Sequence, residues 1–75
     1  MTRINRERIE RIAQCYDEGD PIIQDARGWL LDAFGNDEDV VDYIETMDTF
    51  EVVLAVERHF VGGWEHFVET ALPAR

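Results

Sequence analysis

The chain has 75 residues, with 17 acidic side chains and 7 arginines but no lysine, and its formal net charge is -10 at pH 7. This length allows one small domain, residues 1–75, and excludes a multidomain enzyme. The charge argues against a nucleic-acid binder, because phosphates are held by clustered cations and repelled by an acidic surface. No apolar run approaches the roughly 18 residues of a membrane span, and the single cysteine predicts a reducing cytoplasm as the location.

Apolar residues recur at helical spacing along the chain, and capping signals divide this pattern into segments. Asn5 is expected to cap a first helix over residues 6–18, with Gly19 at its C-terminal end. Asp20 followed by Pro21 is a strong start signal for a second helix, because proline fits the first helical position without losing a hydrogen bond.

The second helix is expected to end at Gly35 and to bury one apolar stripe. Its interior Gly28 is disfavoured in a helix by about 1 kcal/mol relative to alanine, which predicts a close crossing with another helix at this point. The predicted stripe consists of Ile22, Ile23, Ala26, Leu30, Ala33 and Phe34.

A third and a fourth helix are predicted to follow. Asn36 is expected to cap a short third helix. Asp48 and Glu51 form a capping box that begins a fourth helix, whose apolar stripe is interrupted by Glu57. The core face must therefore either shift toward Val56 or leave that turn exposed. The predicted stripe comprises Phe50, Val53, Leu54, Phe60 and Val61.

Two glycines, Gly62 and Gly63, are predicted to break the fourth helix. They let a fifth helix, which carries Trp64 and Phe67, fold back onto the core until Pro73 ends it. The sequence therefore predicts an all-α fold, a compact bundle of four to five short helices. Because helices this short are marginal in isolation, they depend on packing, to which aromatic rings contribute and a homodimer would add. The large rings are Trp29, Phe34, Tyr43, Phe50, Phe60, Trp64 and Phe67.

Acidic residues are concentrated in residues 28–57, which contain nine carboxylates and no base. Five of the nine are expected to serve in helix capping or in the first turn of a helix. Glu38, Asp42 and Glu45 align at i, i+4 and i+7 and form an acidic stripe on one helix face. The plain interpretation of this stripe is a solvated surface. The functional interpretation is a docking face for another protein or a mimic of DNA phosphates.

The N-terminal segment is the one basic part of the chain. One interpretation is a recognition arm for an acidic partner or nucleic acid. The favoured interpretation is intramolecular: a basic helix that lies against the acidic body, with pairs such as Glu7 and Arg11 at i, i+4. The arginines of this segment are Arg3, Arg6, Arg8 and Arg11.

No arrangement of residues predicts catalysis, a bound metal or a cofactor. The chain has no serine and no glycine-rich loop that could bind phosphate. His59 and His66 are seven residues apart, but the glycines between them prevent a shared helix face. Cys15 is expected to be a partly buried, unreactive thiol. Trp64 is interpreted as a core residue, with an aromatic anchor for a partner protein as the alternative.

Residues 57–67 contain the run Arg-His-aromatic-x-Gly-Gly-Trp-x-x-Phe. This run resembles small acidic proteins of actinobacterial phages, especially mycobacteriophages. The similarity extends to residues 5–9 and 24–31, although Phe60 and Val61 replace the Tyr-Asp that those proteins tend to have. The resemblance implies a phage with a GC-rich genome, which agrees with the use of arginine alone, and it implies no activity, substrate or site.

These observations predict a phage-encoded protein that is not an enzyme and that binds a host or phage protein through an acidic and aromatic helical surface. The residues expected to carry binding are Glu38, Asp42, Glu45 and Trp64. Two alternatives stay open. One is a DNA mimic that inhibits a nuclease, a restriction or CRISPR complex, or a DNA-binding protein. The other is a small helix-turn-helix protein that binds DNA through its N-terminal arginines.

Overall fold

The computed structural model describes residues 5–71 and contains five α-helices joined by short turns. The helices are α1 (Arg6–Gln14), α2 (Pro21–Phe34), α3 (Glu38–Glu45), α4 (Thr49–His59) and α5 (Gly63–Ala71). No strand occurs within the described range, and the all-α bundle predicted from the sequence is confirmed. The predictions that concern Arg3 and Pro73 lie outside the described residues.

The central helix of the bundle is α4, which packs against α1, α2 and α5. Its core face shifts toward Val56, which is one of the two arrangements that the sequence allowed, while Phe50 and Leu54 are only partly buried. Val61 was predicted to extend this face, but it is 86 % exposed because α4 ends before it and the chain continues in an extended conformation. The fully buried side chains of α4 are Val52, Val53 and Val56.

The side-chain caps predicted for three helices are present. Asn5, Asp20 and Asp48 each accept a hydrogen bond from a backbone N–H two or three residues further on, over 2.8 to 3.2 Å. The cap predicted for α3, Asn36, is wrong, because Asp37 accepts the corresponding hydrogen bond at 2.9 Å. Asparagine and aspartate cap helices about equally well, and the turn that leaves α2 determines which of the two takes this position.

The first helix is shorter than predicted. It ends at Gln14 instead of residue 18, and Gly19 is not its cap. Beyond Gln14 the chain turns, and the ring of Tyr16 packs edge-on against the ring of Trp64, with 5.7 Å between the ring centroids. Contact with α5 replaces a further helical turn here, because short helices depend on packing more than on intrinsic propensity.

One carboxylate, Glu57 of α4, joins three helices. Its Oε2 accepts a hydrogen bond from the guanidinium of Arg8 in α1 at 2.7 Å, and its Oε1 accepts one from the backbone N–H of Trp64 in α5 at 2.8 Å. The first contact is an ion pair, and the second satisfies a backbone donor in the first turn of α5. The acid that interrupts the apolar stripe of α4 is therefore a connection between α1, α4 and α5.

The paired glycines make the corner between α4 and α5. Gly62 and Gly63 have φ angles of +92° and +79°, a region that residues with a Cβ atom rarely adopt. The corner turns α5 back across the bundle, where Trp64 and Phe67 are buried. The interpretation of this segment as a route that brings aromatic rings to the core is confirmed.

Gly28 does not mark a close helix crossing, contrary to the prediction. It lies exposed on α2, and a Cβ atom placed there would have no neighbour within 4 Å. The buried face of α2 carries Ile23, Ala26 and Leu30, and Gly28 lies outside this row. A side chain at this position would therefore extend into open space.

We expect Gly28→Ala to stabilise the protein by about 1 kcal/mol, because alanine favours the helix and meets no atom in the folded state. For a domain of this size that gain raises Tm by about 4–8 °C. Gly35→Ala is the matched control, since its Cβ atom would collide with the carbonyl oxygen of Leu31 and lower Tm. Thermal unfolding followed by circular dichroism measures both, and a lower Tm for Gly28→Ala would contradict the open environment.

We expect Glu57→Ala to lower the free energy of unfolding by about 1–2 kcal/mol, because it removes a helix cap and a partly buried ion pair together. Glu57→Gln should cost less, since the amide oxygen can still accept from the N–H of Trp64. Urea denaturation provides the measurement, with Glu10→Ala as the control at an exposed acid of α1. Equal losses for the Glu57→Ala and Glu10→Ala variants would show that Glu57 makes no such connection.

Candidate functional site

A groove between α2, α3 and α4 is lined almost entirely by apolar side chains, and we call it the α3 groove. Its volume is about 330 Å³, and its floor is formed by the buried side chains of Leu30 and Ile44. The remaining lining residues are Phe34, Val40, Tyr43, Met47, Ala55 and His59. The groove is a place where apolar surface stays accessible on a chain that is otherwise strongly acidic.

Large hydrophobic side chains remain exposed at the rim of the α3 groove. Phe34, Val40 and Tyr43 are 40 %, 36 % and 59 % exposed, and within residues 5–71 Val61 is the only other large hydrophobic residue in this state. Single exposed apolar residues are ordinary, whereas a contiguous group is typical of a binding surface. The sequence prediction that Phe34 and Tyr43 serve as core residues is therefore wrong.

The groove exists because α3 has little support from its neighbours. Among the described helices, α3 packs extensively against α2 alone, whereas α4 packs against three others. Ala55, on the α4 side of the groove, is too small to fill the space. Val40 and Tyr43 on α3, and Met47 in the connection after α3, consequently have no helix to cover them.

Arg27 of α2 holds the C-terminal end of α3 in place. Its Nη1 donates to the backbone carbonyls of Ile44 and Glu45 at 2.7 and 3.1 Å. Carbonyls at the end of a helix lack partners within it, and the guanidinium also lies at the negative end of the helix dipole. The sequence reasoning assigned Arg27 no role. Its isolation in the sequence could have indicated a structural role, because Arg27 is the only arginine between Arg11 and Arg58.

The acidic stripe of Glu38, Asp42 and Glu45 lies on the face of α3 that is opposite to the groove. Successive residues of a helix are rotated by about 100°, which places the stripe about 180° from the row that lines the groove. All three carboxylates are exposed, and within residues 5–71 none of them forms an ion pair. The acidic and aromatic surface expected from the sequence is therefore two separate surfaces.

Trp64 belongs to neither of these surfaces. It is 2 % exposed, and its ring packs against the rings of Tyr16 and Phe67, with centroid distances of 5.7 Å in both cases. The assignment of Trp64 to the protein-binding residues is corrected accordingly, because a ring at this depth offers almost no area to a partner. The core interpretation of Trp64 is confirmed.

Arg8, one of the four arginines of the basic segment, is engaged by two acids. Its guanidinium contacts Glu57 at 2.7 Å and Glu65 at 3.1 Å. The pKa of Arg8 is raised above its usual value, mainly by the hydrogen bond to Glu65. Burial lowers the pKa, and the negative charge of Glu57 raises it further. Arg8 is thus a permanent cation that is already paired within the molecule.

The other two described arginines of α1 also have partners in the bundle. The guanidinium of Arg6 lies 5.6 Å from the centre of the Phe50 ring, at cation–π distance. Arg11 lies 3.8 Å from Glu7, which is the i, i+4 pair expected from the sequence. These contacts support the intramolecular interpretation of the basic segment over a recognition arm.

The histidines and the cysteine do not come together. The ring of His59 packs on Phe34 with 4.9 Å between centroids, whereas Nδ1 of His66 donates to the carbonyl of Val61 at 2.9 Å. In the part of the chain that the structure describes, no three His, Cys, Asp or Glu side chains form a group that could hold a metal ion. Cys15 is exposed and not partly buried as expected, because α1 ends just before it.

No protein-family model, curated protein or solved structure matches this chain. The resemblance of residues 57–67 to phage proteins therefore stays a prediction from the sequence. Within residues 5–71, none of the helices has the length and apolar composition needed to cross a membrane.

We expect Arg27→Gln to lower the free energy of unfolding by about 1–2 kcal/mol, because two carbonyls at the end of α3 lose a charged donor. Arg58→Gln is the matched control, since it removes the same charge from an exposed position. Urea denaturation measures the loss, and amide hydrogen exchange should show faster exchange in α3 than in α4. Equal stability of the two variants would contradict the role assigned to Arg27.

Proposed function

We propose that the protein binds another protein and uses the α3 groove as its contact surface, and that it is not an enzyme. The observation that carries this proposal is the gathering of Phe34, Val40 and Tyr43, three of the four exposed large hydrophobic residues in the described part of the chain, at one groove. Exposed apolar groups that cluster in this way are typical of protein-binding sites, where a few buried aromatic and aliphatic contacts dominate the affinity.

The chemistry of the described residues also supports binding over catalysis. Cys15, His59 and His66, the most reactive side chains within residues 5–71, have different surroundings and share no contact. Among the side chains that line the α3 groove, only the hydroxyl of Tyr43 and the ring of His59 are polar. An apolar groove with so few polar groups suits the burial of hydrophobic side chains of a partner.

The resemblance to phage proteins makes a protein of the bacterial host the first partner to test, and the cytoplasm of the infected cell the proposed location. We expect affinity capture from an actinobacterial lysate to retain a host protein on the wild-type chain. The double variant Val40→Gln with Tyr43→Gln should retain about one tenth of the wild-type amount or less, because it replaces the two most accessible apolar side chains of α3.

Two controls make the capture experiment specific. Val61→Gln replaces an exposed hydrophobic residue outside the groove, and this variant should retain the partner like the wild type. Circular dichroism of all variants checks that they remain folded, which is expected because Val40, Tyr43 and Val61 are exposed. Retention by the groove double variant at the wild-type level, or no retained protein on the wild type, would contradict the proposal.

The acidic stripe supports a second candidate function, a docking face or DNA mimic, since its carboxylates are exposed on one helix face. The stripe spans about 10 Å along α3, a length over which duplex DNA carries about six phosphates. Three carboxylates supply about half of that charge, which makes full mimicry the weaker candidate. Loss of the captured protein with Glu38→Gln, Asp42→Asn and Glu45→Gln together, but not with the groove variant, would favour the stripe.

A further inference from the structure

We infer that the occupant of the α3 groove is an α-helix of the partner protein that is apolar on one face and basic on its flanks. This inference rests on the function proposed above and adds the chemistry of the partner. It follows from three properties of the groove: its shortage of hydrogen-bonding groups, its length along α3, and the charge of the segment that builds it.

The shortage of hydrogen-bonding groups favours a helical occupant. An extended peptide would place its backbone N–H and C=O groups against eight side chains, of which only Tyr43 with its hydroxyl and His59 with its ring nitrogens are polar. Unpaired backbone groups are costly when they are removed from water. A helix satisfies its own backbone and presents only side chains, and it can therefore enter such a groove without this cost.

The length of the α3 wall suits about two turns of a helix. The eight residues of α3 extend over about 12 Å, with Val40 and Tyr43 at i and i+3 on this helix and Met47 in the connection that follows it. Apolar residues at the same spacing on a partner helix would lie along this row. The buried floor of Leu30 and Ile44 then receives the longest of them.

The charge of the surrounding segment selects a basic partner. Every residue that lines the groove belongs to residues 30–59, a segment that contains nine acids and one arginine, Arg58. Glu38, Asp42 and Glu45 face away from the groove, and the attraction of lysine or arginine on the occupant comes from the net negative charge of the whole segment. A second copy of this chain is a poor occupant, because each copy has a formal net charge of -10.

The test uses synthetic helical peptides of about 15 residues with fluorescence anisotropy as the readout. The first peptide carries leucines along one helix face and lysines elsewhere. The second has glutamate in place of every lysine, and the third has the composition of the first with its leucines scattered around the helix. The first peptide should bind the wild-type chain at least about tenfold more tightly than either of the others.

The protein variants connect this binding to the groove. The Val40→Gln and Tyr43→Gln double variant should weaken binding of the lysine peptide about tenfold, whereas Val61→Gln should leave it unchanged. Binding should also weaken as salt is raised from about 50 to about 300 mM, because the flanking charges are then screened. Full binding by the groove double variant would overturn the inference, since the contact would then be a general attraction between charges.

The remaining outcomes separate this inference from the proposed function. Equal binding of the glutamate peptide would overturn the basic character of the partner and leave the groove as the contact surface. A wild-type dimer that the groove double variant converts to a monomer would identify a second copy as the occupant and overturn the inference. If no peptide binds but capture of a host protein still depends on the groove, the inference is wrong and the proposed function stands.

Discussion

Burial of one short helix is the constraint on which the rest of the structure depends. The three valines of α4 are fully excluded from water, and this requires cover from α1, α2 and α5 at the same time. None of these helices exceeds 14 residues, and helices of this length gain most of their stability from packing. With three helices placed around α4, α3 is left with α2 as its main support, and the α3 groove is the result.

Two long polar side chains, Glu57 and Arg27, connect helices in addition to the apolar core. Glu57 reaches from α4 to both α1 and α5, and Arg27 reaches from α2 to the end of α3. Each satisfies backbone groups that the end of a helix leaves without partners, and each does so across a gap between helices. The chain has 17 acids and only 7 arginines. An arginine with partners between helices contributes more to the stability of the fold than an arginine in an exposed ion pair.

The parts of this fold that could be predicted from the sequence depend on residues close to one another in the chain. The caps at Asn5, Asp20 and Asp48 involve three or four successive residues, and all three were predicted correctly. The early end of α1 depends instead on a contact between Tyr16 and α5, which no local pattern describes.

The candidate site was less predictable for the same reason. Phe34 and Tyr43 have the spacing and size of core residues, and only the absence of a helix beside α3 leaves them exposed. The acidic stripe was visible as a helical pattern, because its three members lie on one helix. Its position opposite the groove depends on which face of α3 meets α2, and the sequence pattern alone did not determine that.

The sparse support of α3 links occupancy of the groove to the stability of the whole fold. A molecule that binds only the folded chain shifts the unfolding equilibrium by mass action, by about 2.7 kcal/mol when its free concentration is 100 times its Kd. For a chain of 75 residues this is a large part of the stability that small domains have. A bound helix would supply the eight residues of α3 with a second helix neighbour, so that the stability gained on binding would be largest in the helix with the least support.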